Sequence, residues 1–419
     1  MPAKKIICII SNSHSTNDVR LYHKLGKSLC KIASVYVLGA RGIGQMMEHY
    51  RDEPSTSGPD KAEVKPTRII VSGLTPVLKL WGLYRQALKL KPDLVICVEP
   101  LTMIVGFKLK KNTGCKLFYD AHEYYTSAHS ERYPFPFNHI IGGLYYLFEH
   151  YMQEKMDLTI AVNSDIFSLF NLQTPETAEK HKNDAKSTMD KYWTSPLHLG
   201  VVCANYPTDA IFKDDLADCG ISNLLPNIIF DTIYLGGLSE ERGILKLLQV
   251  INILRQKRPL FKALFVGPFH SEAFKQKFFA YLMDNNLNSF VYWRDAIPHD
   301  KVCAVLKQVK VGLCVLHPGH KRYKKGVSLK VLEYLSVGIP VVANNFPQIK
   351  DIIEKHNLGY CVPFHRQDIV NAVEKLLDLS VKDRDVMAEK CREVVKQHYM
   401  WTQVEPVLLD AVNYILKQP

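Results

Sequence analysis

The chain lacks most of the signatures that assign a protein to a class at once. No run approaches the roughly 18 apolar residues that cross a bilayer. Lys4 and Lys5 precede Ile6 to Ile10, but Ser11-Asn12-Ser13-His14 follows at once, so the start does not read as a secretory leader. The ten cysteines include no C-x-x-C pair, and most lie inside apolar runs such as Ile6-Ile7-Cys8-Ile9-Ile10. They read as reduced core residues of a cytoplasmic protein, which argues against a disulfide or zinc framework. His122 and His129 do not form H-E-x-x-H, and Asp383-Arg384-Asp385 reads as a helix N-cap with first-turn acids. No metal is expected. P-loop and Ser-His-Asp spacings are missing too. Acidic residues are in deficit, 42 Asp and Glu against 53 Lys and Arg, for a net charge of +11. That charge attracts polyanions. Without an RNP, zinc-finger or heptad signature, nucleic acid is not the expected one.

What is present is the pattern of an α/β protein. At 419 residues, with 47% hydrophobic and 23% charged residues, the chain suits a soluble protein of two domains. Lys4 to Ile10 reads as a buried strand, Asn12 to Arg20 as a polar loop and Leu21 to Cys30 as a helix, with a second strand at Ala33 to Leu38. This is a Rossmann-like opening without G-x-G-x-x-G, and the glycines of residues 39–44 read as an ordinary turn. Residues 54–66 read as a surface loop. Lys79 to Lys91 reads as a basic amphipathic helix, followed by strands at Leu94 to Val98 and Lys116 to Tyr119. A long helix from about Ile140 to Met156 and a strand at Asp157 to Val162 follow, then a polar insertion over residues 171–191. After a hinge at about 207–227, strands are expected at Thr232 to Leu235, Lys262 to Val266 and Ser289 to Trp293, with a helix at Ile244 to Arg255. Two such sheets facing each other would make a ligand cleft.

The most informative stretch runs from Val311 to Asn344. An apolar strand, Val311 to Leu316, leads into a loop rich in Gly, Lys, His and Arg. Ser328 is placed to cap a short helix, Gly338 to end it, and Ile339-Pro340-Val341-Val342 starts the next strand. The helix N-terminus then sits at the carboxyl edge of a parallel sheet, where such folds bind phosphates. Glu333 lies beside the apolar stripe of Leu329, Leu332 and Leu335. Spacing leaves two readings open: a carboxylate accepting from ribose hydroxyls, or an exposed ion pair with Lys330.

Two further clusters stand out. The glycines of Gly236 to Gly243 follow a strand, so backbone N–H groups there can approach an anion while Arg242 adds charge; a surface loop with a solvated arginine is the bland alternative. Asp120-Ala121-His122-Glu123 crowds polar side chains at a strand exit, as at the binding edge of an α/β sheet.

These residues carry a resemblance. The segment Ser328 to Leu335 with Gly338 to Val342 resembles the donor-binding helix of the GT-B glycosyltransferases of family 4. In that family a paired-glutamate motif holds the nucleotide sugar; its second member falls at Glu333 and its first at Lys325, so half of it is missing. Tyr119 to Glu123, Glu99-Pro100, Asn17 to Arg20 and Tyr399-Met400-Trp401 are similar to a subgroup's segments. The resemblance implies a GT-B fold: two Rossmann-like domains at 1–206 and 207–398, and a helix over 399–419 returning to the first. It implies a retaining, metal-independent transferase of polysaccharide biosynthesis, moving a sugar from a nucleoside-diphosphate sugar to a glycan or lipid-linked acceptor. By the same resemblance His122 contacts the transferred sugar, Arg242, Gly237, Lys330, Glu333 and Ser328 bind the donor, and Arg20 and Glu99 serve the phosphate or acceptor side. A nucleotide-sugar 2-epimerase and a non-catalytic GT-B scaffold remain alternatives. Lys79, Arg85 and Lys89 would add peripheral contact with the cytoplasmic face of an anionic membrane.

Overall fold

Near-continuous apolar runs such as Ile7 to Ile10, Leu94 to Cys97 and Val341 to Ala343 are satisfied only in strands covered on both faces. Both sheets of the chain are built from such runs and are parallel throughout. The computed structural model describes residues 4–40, 65–71, 75–131, 133–175, 198–212, 225–226, 228–298, 301–324 and 326–418. The chain divides into two compact units, one of Met1–Asn205 with Gln403–Pro419, the other of Tyr206–Thr402.

The first unit holds β1 (Ile6–Ser11), β2 (Ser34–Ala40), β3 (Thr67–Val71), β4 (Leu94–Cys97), β5 (Lys116–Ala121), β6 (Leu158–Ala161), β7 (Leu172–Gln173) and β8 (His198–Val202). Their order in the sheet is β3-β2-β1-β4-β5-β6-β8-β7. The chain runs outward from β1 to β3 and then crosses back to β4, so the topological switch lies between β1 and β4. The crossovers into β4, β5 and β6 all run the same way. Right-handedness therefore puts their helices, Pro76–Leu90, Thr102–Thr113 and Phe137–Gln153, on one face of the sheet.

The first helix departs from expectation. It starts at Val19 and takes a π-helical form through Gly26, so Arg20 lies in the helix and not in the loop before it. Asp18 caps it, accepting from the Arg20 and Leu21 amides at 2.8 and 3.1 Å. Strand β3 was not expected; its mixed burial, typical of an edge, gives no continuous apolar run. Residues 41–64, most of 171–191 and most of 207–227 fall outside the described residues, as does Lys325. At the C-terminus, Gln403–Pro419 groups with the first unit, and Lys31 Nζ donates to Glu405 Oε2 at 2.6 Å.

The second unit holds β9 (Phe230–Leu235), β10 (Ala263–Val266), β11 (Val291–Arg294), β12 (Val309–Cys314), β13 (Val341–Asn344) and β14 (Gly359–Val362). Their order is β11-β10-β9-β12-β13-β14, with the switch between β9 and β12. The helix after β12, Leu329–Ser336, sits close on the sheet because Gly312 leaves room for the Tyr334 ring, which any Cβ there would strike. Its end is a Schellman motif. Gly338 adopts φ +88°, its amide donates to the Leu335 carbonyl at 3.0 Å, and the Ile339 amide donates to the Tyr334 carbonyl at 2.9 Å. Farther on, the D-x-D at Asp383 is not itself the N-cap. Ser380 caps that helix and Asp383 lies in its first turn, its amide donating to Ser380 Oγ at 3.1 Å.

Candidate functional site

In the second unit, charge gathers at the carboxyl ends of β9 and β12. The chain leaves β9 through Gly236, at φ +125°, whose amide donates to the Val266 carbonyl at 2.8 Å. A Cβ at Gly236 would lie 3.2 Å from Lys330 Nζ and 3.7 Å from Arg242 Nη1, so both cations converge on this bare stretch of backbone. Arg242 stands just before Gly243, at the N-terminus of the helix Ile244–Lys257. Gly237 has its carbonyl fixed by the Tyr234 hydroxyl, which donates at 3.2 Å, and any Cβ there would strike the His270 ring.

Lys330 is the unusual member. It is only 7% exposed, its Nζ rests 4.0 Å from the Tyr234 ring centroid, and that Nζ has no hydrogen-bond partner among the described residues. The nearby Cys314 thiol offers no countercharge. Burial raises its pKa, and the opposing pulls of Lys330, Ser328 and Arg242 do not reverse this, so the thiol stays neutral. A buried ammonium without a hydrogen bond is costly, and an anion would relieve the cost.

Glu333, about one helical turn from Lys330, is also 7% exposed. The exposed Lys330–Glu333 ion pair is thereby excluded, since neither side chain is at the surface. Ser328 does occupy the N-cap position of Leu329–Ser336, but its side chain makes no capping bond, contrary to expectation. The hydroxyl is engaged with Cys314 instead.

In the first unit, the expected residues divide differently. Arg20 is buried. Its Nε and Nη2 donate to Asp120 Oδ2 and Oδ1 at 2.8 and 2.6 Å, and its Nη1 donates to the Cys203 carbonyl at 3.2 Å. Three of its five N–H groups are thus engaged and the side chain is only 3% exposed, so Arg20 is held within the fold. It ties the first helix to the ends of β5 and β8. Burial alone would raise the Asp120 pKa, but the Arg20 charge and hydrogen bonds hold that carboxyl well below the usual carboxylate range.

Glu99 is likewise committed. Its Oε1 accepts from the Ser11 hydroxyl at 2.5 Å and the Ser13 hydroxyl at 2.7 Å, and its Oε2 accepts from the Asn12 amide at 3.0 Å. It pins the loop after β1 across the switch point, which leaves little of it for an acceptor.

His122 is held from two sides. Its Nδ1 lies 3.5 Å from Asp120 Oδ2, and the Tyr125 hydroxyl lies 3.3 and 3.2 Å from its two ring nitrogens. Tyr125 also donates to the Val98 carbonyl at 3.1 Å. An Arg20–Asp120–His122 relay therefore fixes the imidazole at the strand exit.

The reading of the sequence missed His14. Its ring packs edge-on against His122 at 5.0 Å, with Nδ1 3.4 Å from Asp18 and Nε2 3.8 Å from Glu99. Burial lowers its pKa, yet the Asp18 hydrogen bond and the charges of Glu99, Asp18 and Glu123 outweigh this and raise it. The available signal was polar crowding after β1, as at His122. Lys79, Arg85 and Lys89 lie on the helix Pro76–Leu90, the first half-buried and the others exposed. Among the described residues no group of three or more His, Cys, Asp or Glu could hold a metal ion.

Two all-parallel α/β units with these switch points define a GT-B fold, and solved structures bear that out over the full chain. The chain is similar to sucrose-phosphate synthase of Thermosynechococcus elongatus, at 15% identity and TM-score 0.67, covering 98% of this chain and 99% of that one. It is similar to Anabaena HepE in complex with UDP-glucose, at 13% identity and TM-score 0.64, covering 98% and 99%. α,α-Trehalose 6-phosphate synthase of Burkholderia multivorans matches at 10% identity and TM-score 0.64, covering 99% and 98%. The second unit is more specific. Residues 227–394 match the family described as "Glycosyl transferases group 1", so the chain carries a glycosyltransferase group 1 domain. No curated protein sequence matches the chain.

Proposed function

We propose that this chain is a retaining, metal-independent glycosyltransferase that moves a sugar from a nucleoside-diphosphate sugar to a glycan or lipid-linked acceptor. The observation that carries the reading is the buried Lys330 ammonium. It lacks a hydrogen bond and stands with Arg242 beside Gly236, inside the segment matching glycosyl transferases group 1. The HepE structure with UDP-glucose supports a donor of that chemical class.

In this reading Arg242 and Lys330 take the donor diphosphate and stabilise the charge that develops as it leaves. Glu333, about one helical turn past Lys330 on the same helix, accepts from the ribose hydroxyls. The backbone near Ser328 and Gly237 completes the diphosphate cradle. The acceptor hydroxyl attacks from the face that the leaving group vacates and passes its proton to the departing phosphate. His122, oriented by Asp120 and Tyr125, takes the sugar. Arg20 and Glu99 act only through the residues they hold.

Thermal unfolding with UDP, GDP, ADP, dTDP and CMP, each alone, tests the donor half. One nucleotide at about 100 times its dissociation constant should add roughly 2.7 kcal/mol of stability. The gain should vanish in Arg242→Ala and shrink in Glu333→Gln. No gain with any nucleotide or with its sugar conjugate would defeat the assignment.

A further inference from the structure

The helix Phe137–Gln153 presents an outer face that an ordinary water-exposed helix does not have. Phe137, Ile140, Leu144, Leu147 and Tyr151, spaced along one stripe, are each between 57 and 65% exposed. Its only charged residue, Glu149, is turned inward and buried, so the solvent face carries no Lys, Arg, Asp or Glu. Isolated exposed apolar residues need no explanation, but a continuous stripe over four turns does.

Two basic helices lie beside it in the helical layer. Phe137–Gln153 packs beside Thr102–Thr113, which packs beside Pro76–Leu90. Neither neighbour contains an acidic residue, and together they carry Lys79, Arg85, Lys89, Lys108, Lys110 and Lys111. Lys110 is spent on Asp157, with Nζ donating at 2.7 Å. Other lysines lie over exposed rings: Lys155 Nζ is 3.8 Å from the Tyr151 centroid, and Lys108 Nζ is 4.8 Å from that of Trp81, itself 47% exposed.

We propose that this face of the first unit docks on an anionic lipid surface. The apolar stripe would enter the headgroup boundary and the lysines would meet lipid phosphates and carboxylates. Charge complementarity decides the occupant. A second copy would bring one lysine-rich face against another, whereas an anionic bilayer neutralises it. The helix lies in the interface and does not cross it: among the described residues no helix is long and apolar enough to span a membrane. The contact thereby extends from Lys79, Arg85 and Lys89, where the sequence suggested it, to a surface centred on Leu144 and Leu147. It does not depend on the transferase reading.

Co-sedimentation of the full chain with vesicles tests it. The chain should pellet with phosphatidylcholine vesicles containing phosphatidylserine and stay in solution with phosphatidylcholine alone. Lys108→Glu with Lys111→Glu should weaken partition at least about twentyfold, at about fivefold per lysine. Leu144→Ser with Leu147→Ser should abolish it while circular dichroism stays native. Brominated lipid should quench Trp81 emission in the otherwise unaltered chain, measured against Trp81→Phe, which keeps the test independent of the variants' folding. Failure to bind anionic vesicles, or binding that survives both pairs of substitutions, would overturn the proposal. So would a concentration-dependent dimer in sedimentation velocity that Leu144→Ser with Leu147→Ser dissolves, which would give the face to a second copy.

Discussion

Replacing Lys330 by methionine should push folding and ligand binding in opposite directions. In the unliganded chain the ammonium is buried without a hydrogen bond, 4.0 Å from the Tyr234 centroid. An unsatisfied buried charged donor costs at least about 1–3 kcal/mol, while a desolvated cation–π contact returns up to about 2 kcal/mol. Methionine keeps an unbranched stem and removes both effects. The unliganded variant should therefore be as stable as the parent or more so by about 1–2 kcal/mol, a gain of a few degrees in Tm. Ligand binding should suffer. Losing one charged partner of a buried contact costs about 2–5 kcal/mol, so a nucleotide that stabilises the parent by about 2.7 kcal/mol should stabilise the variant by under about 1 kcal/mol at the same concentration. Thermal unfolding with and without nucleoside diphosphate reads both effects. A variant that is several kcal/mol less stable without ligand, or that keeps the full ligand shift, would refute the idea of an anion site waiting on a buried charge.

Gly338→Ala should cost about 2–4 kcal/mol in urea unfolding, because φ +88° disfavours any Cβ and an added methyl would press on Arg392 and come within 3.0 Å of the Ala388 carbonyl. Arg20→Met should destabilise by about 3–5 kcal/mol by stranding the Asp120 carboxylate, and adding Asp120→Asn should recover much of that loss in chemical denaturation. Glu149 gives a pH signature: burial raises its pKa to about 7, against hydrogen bonds from Tyr119 and Thr126 that lower it. From about pH 4.5 to 7 the folded chain holds a proton that the unfolded chain has lost, so stability falls as pH rises through this window. Glu149→Gln should accordingly stabilise at pH 8 by up to about 3 kcal/mol and gain little at pH 5, as read from Tm across pH.

The sequence made the framework legible where strands are buried on both faces. Ile6 to Ile10, Leu94 to Cys97 and Val341 to Val342 announce themselves because parallel strands admit no polar side, whereas β3, an edge strand of mixed burial, did not. The candidate site was legible in its residue types and not in their state. Lys330 and Glu333 could be read equally as a solvated pair, since their burial depends on the loop after β9 and the Tyr234 ring, nearly a hundred positions earlier. Arg20 looked available because its partner Asp120 is 100 positions away, and Glu99 because Ser11 is 88 positions away. Long-range pairing decides whether a charge is offered to a ligand or spent on the fold, and local spacing does not carry that information.

The most direct test of the central claim is the fate of a nucleotide sugar. The chain would be incubated with UDP-glucose, then with the conjugate of whichever nucleoside diphosphate stabilises it, and the products followed by NMR with and without a glycan or lipid-extract acceptor. The account predicts release of the nucleoside diphosphate with appearance of a new glycosidic linkage of unchanged anomeric configuration, lost in Arg242→Ala. A nucleotide sugar recovered intact under every acceptor, or converted to its 2-epimer without any, would contradict it.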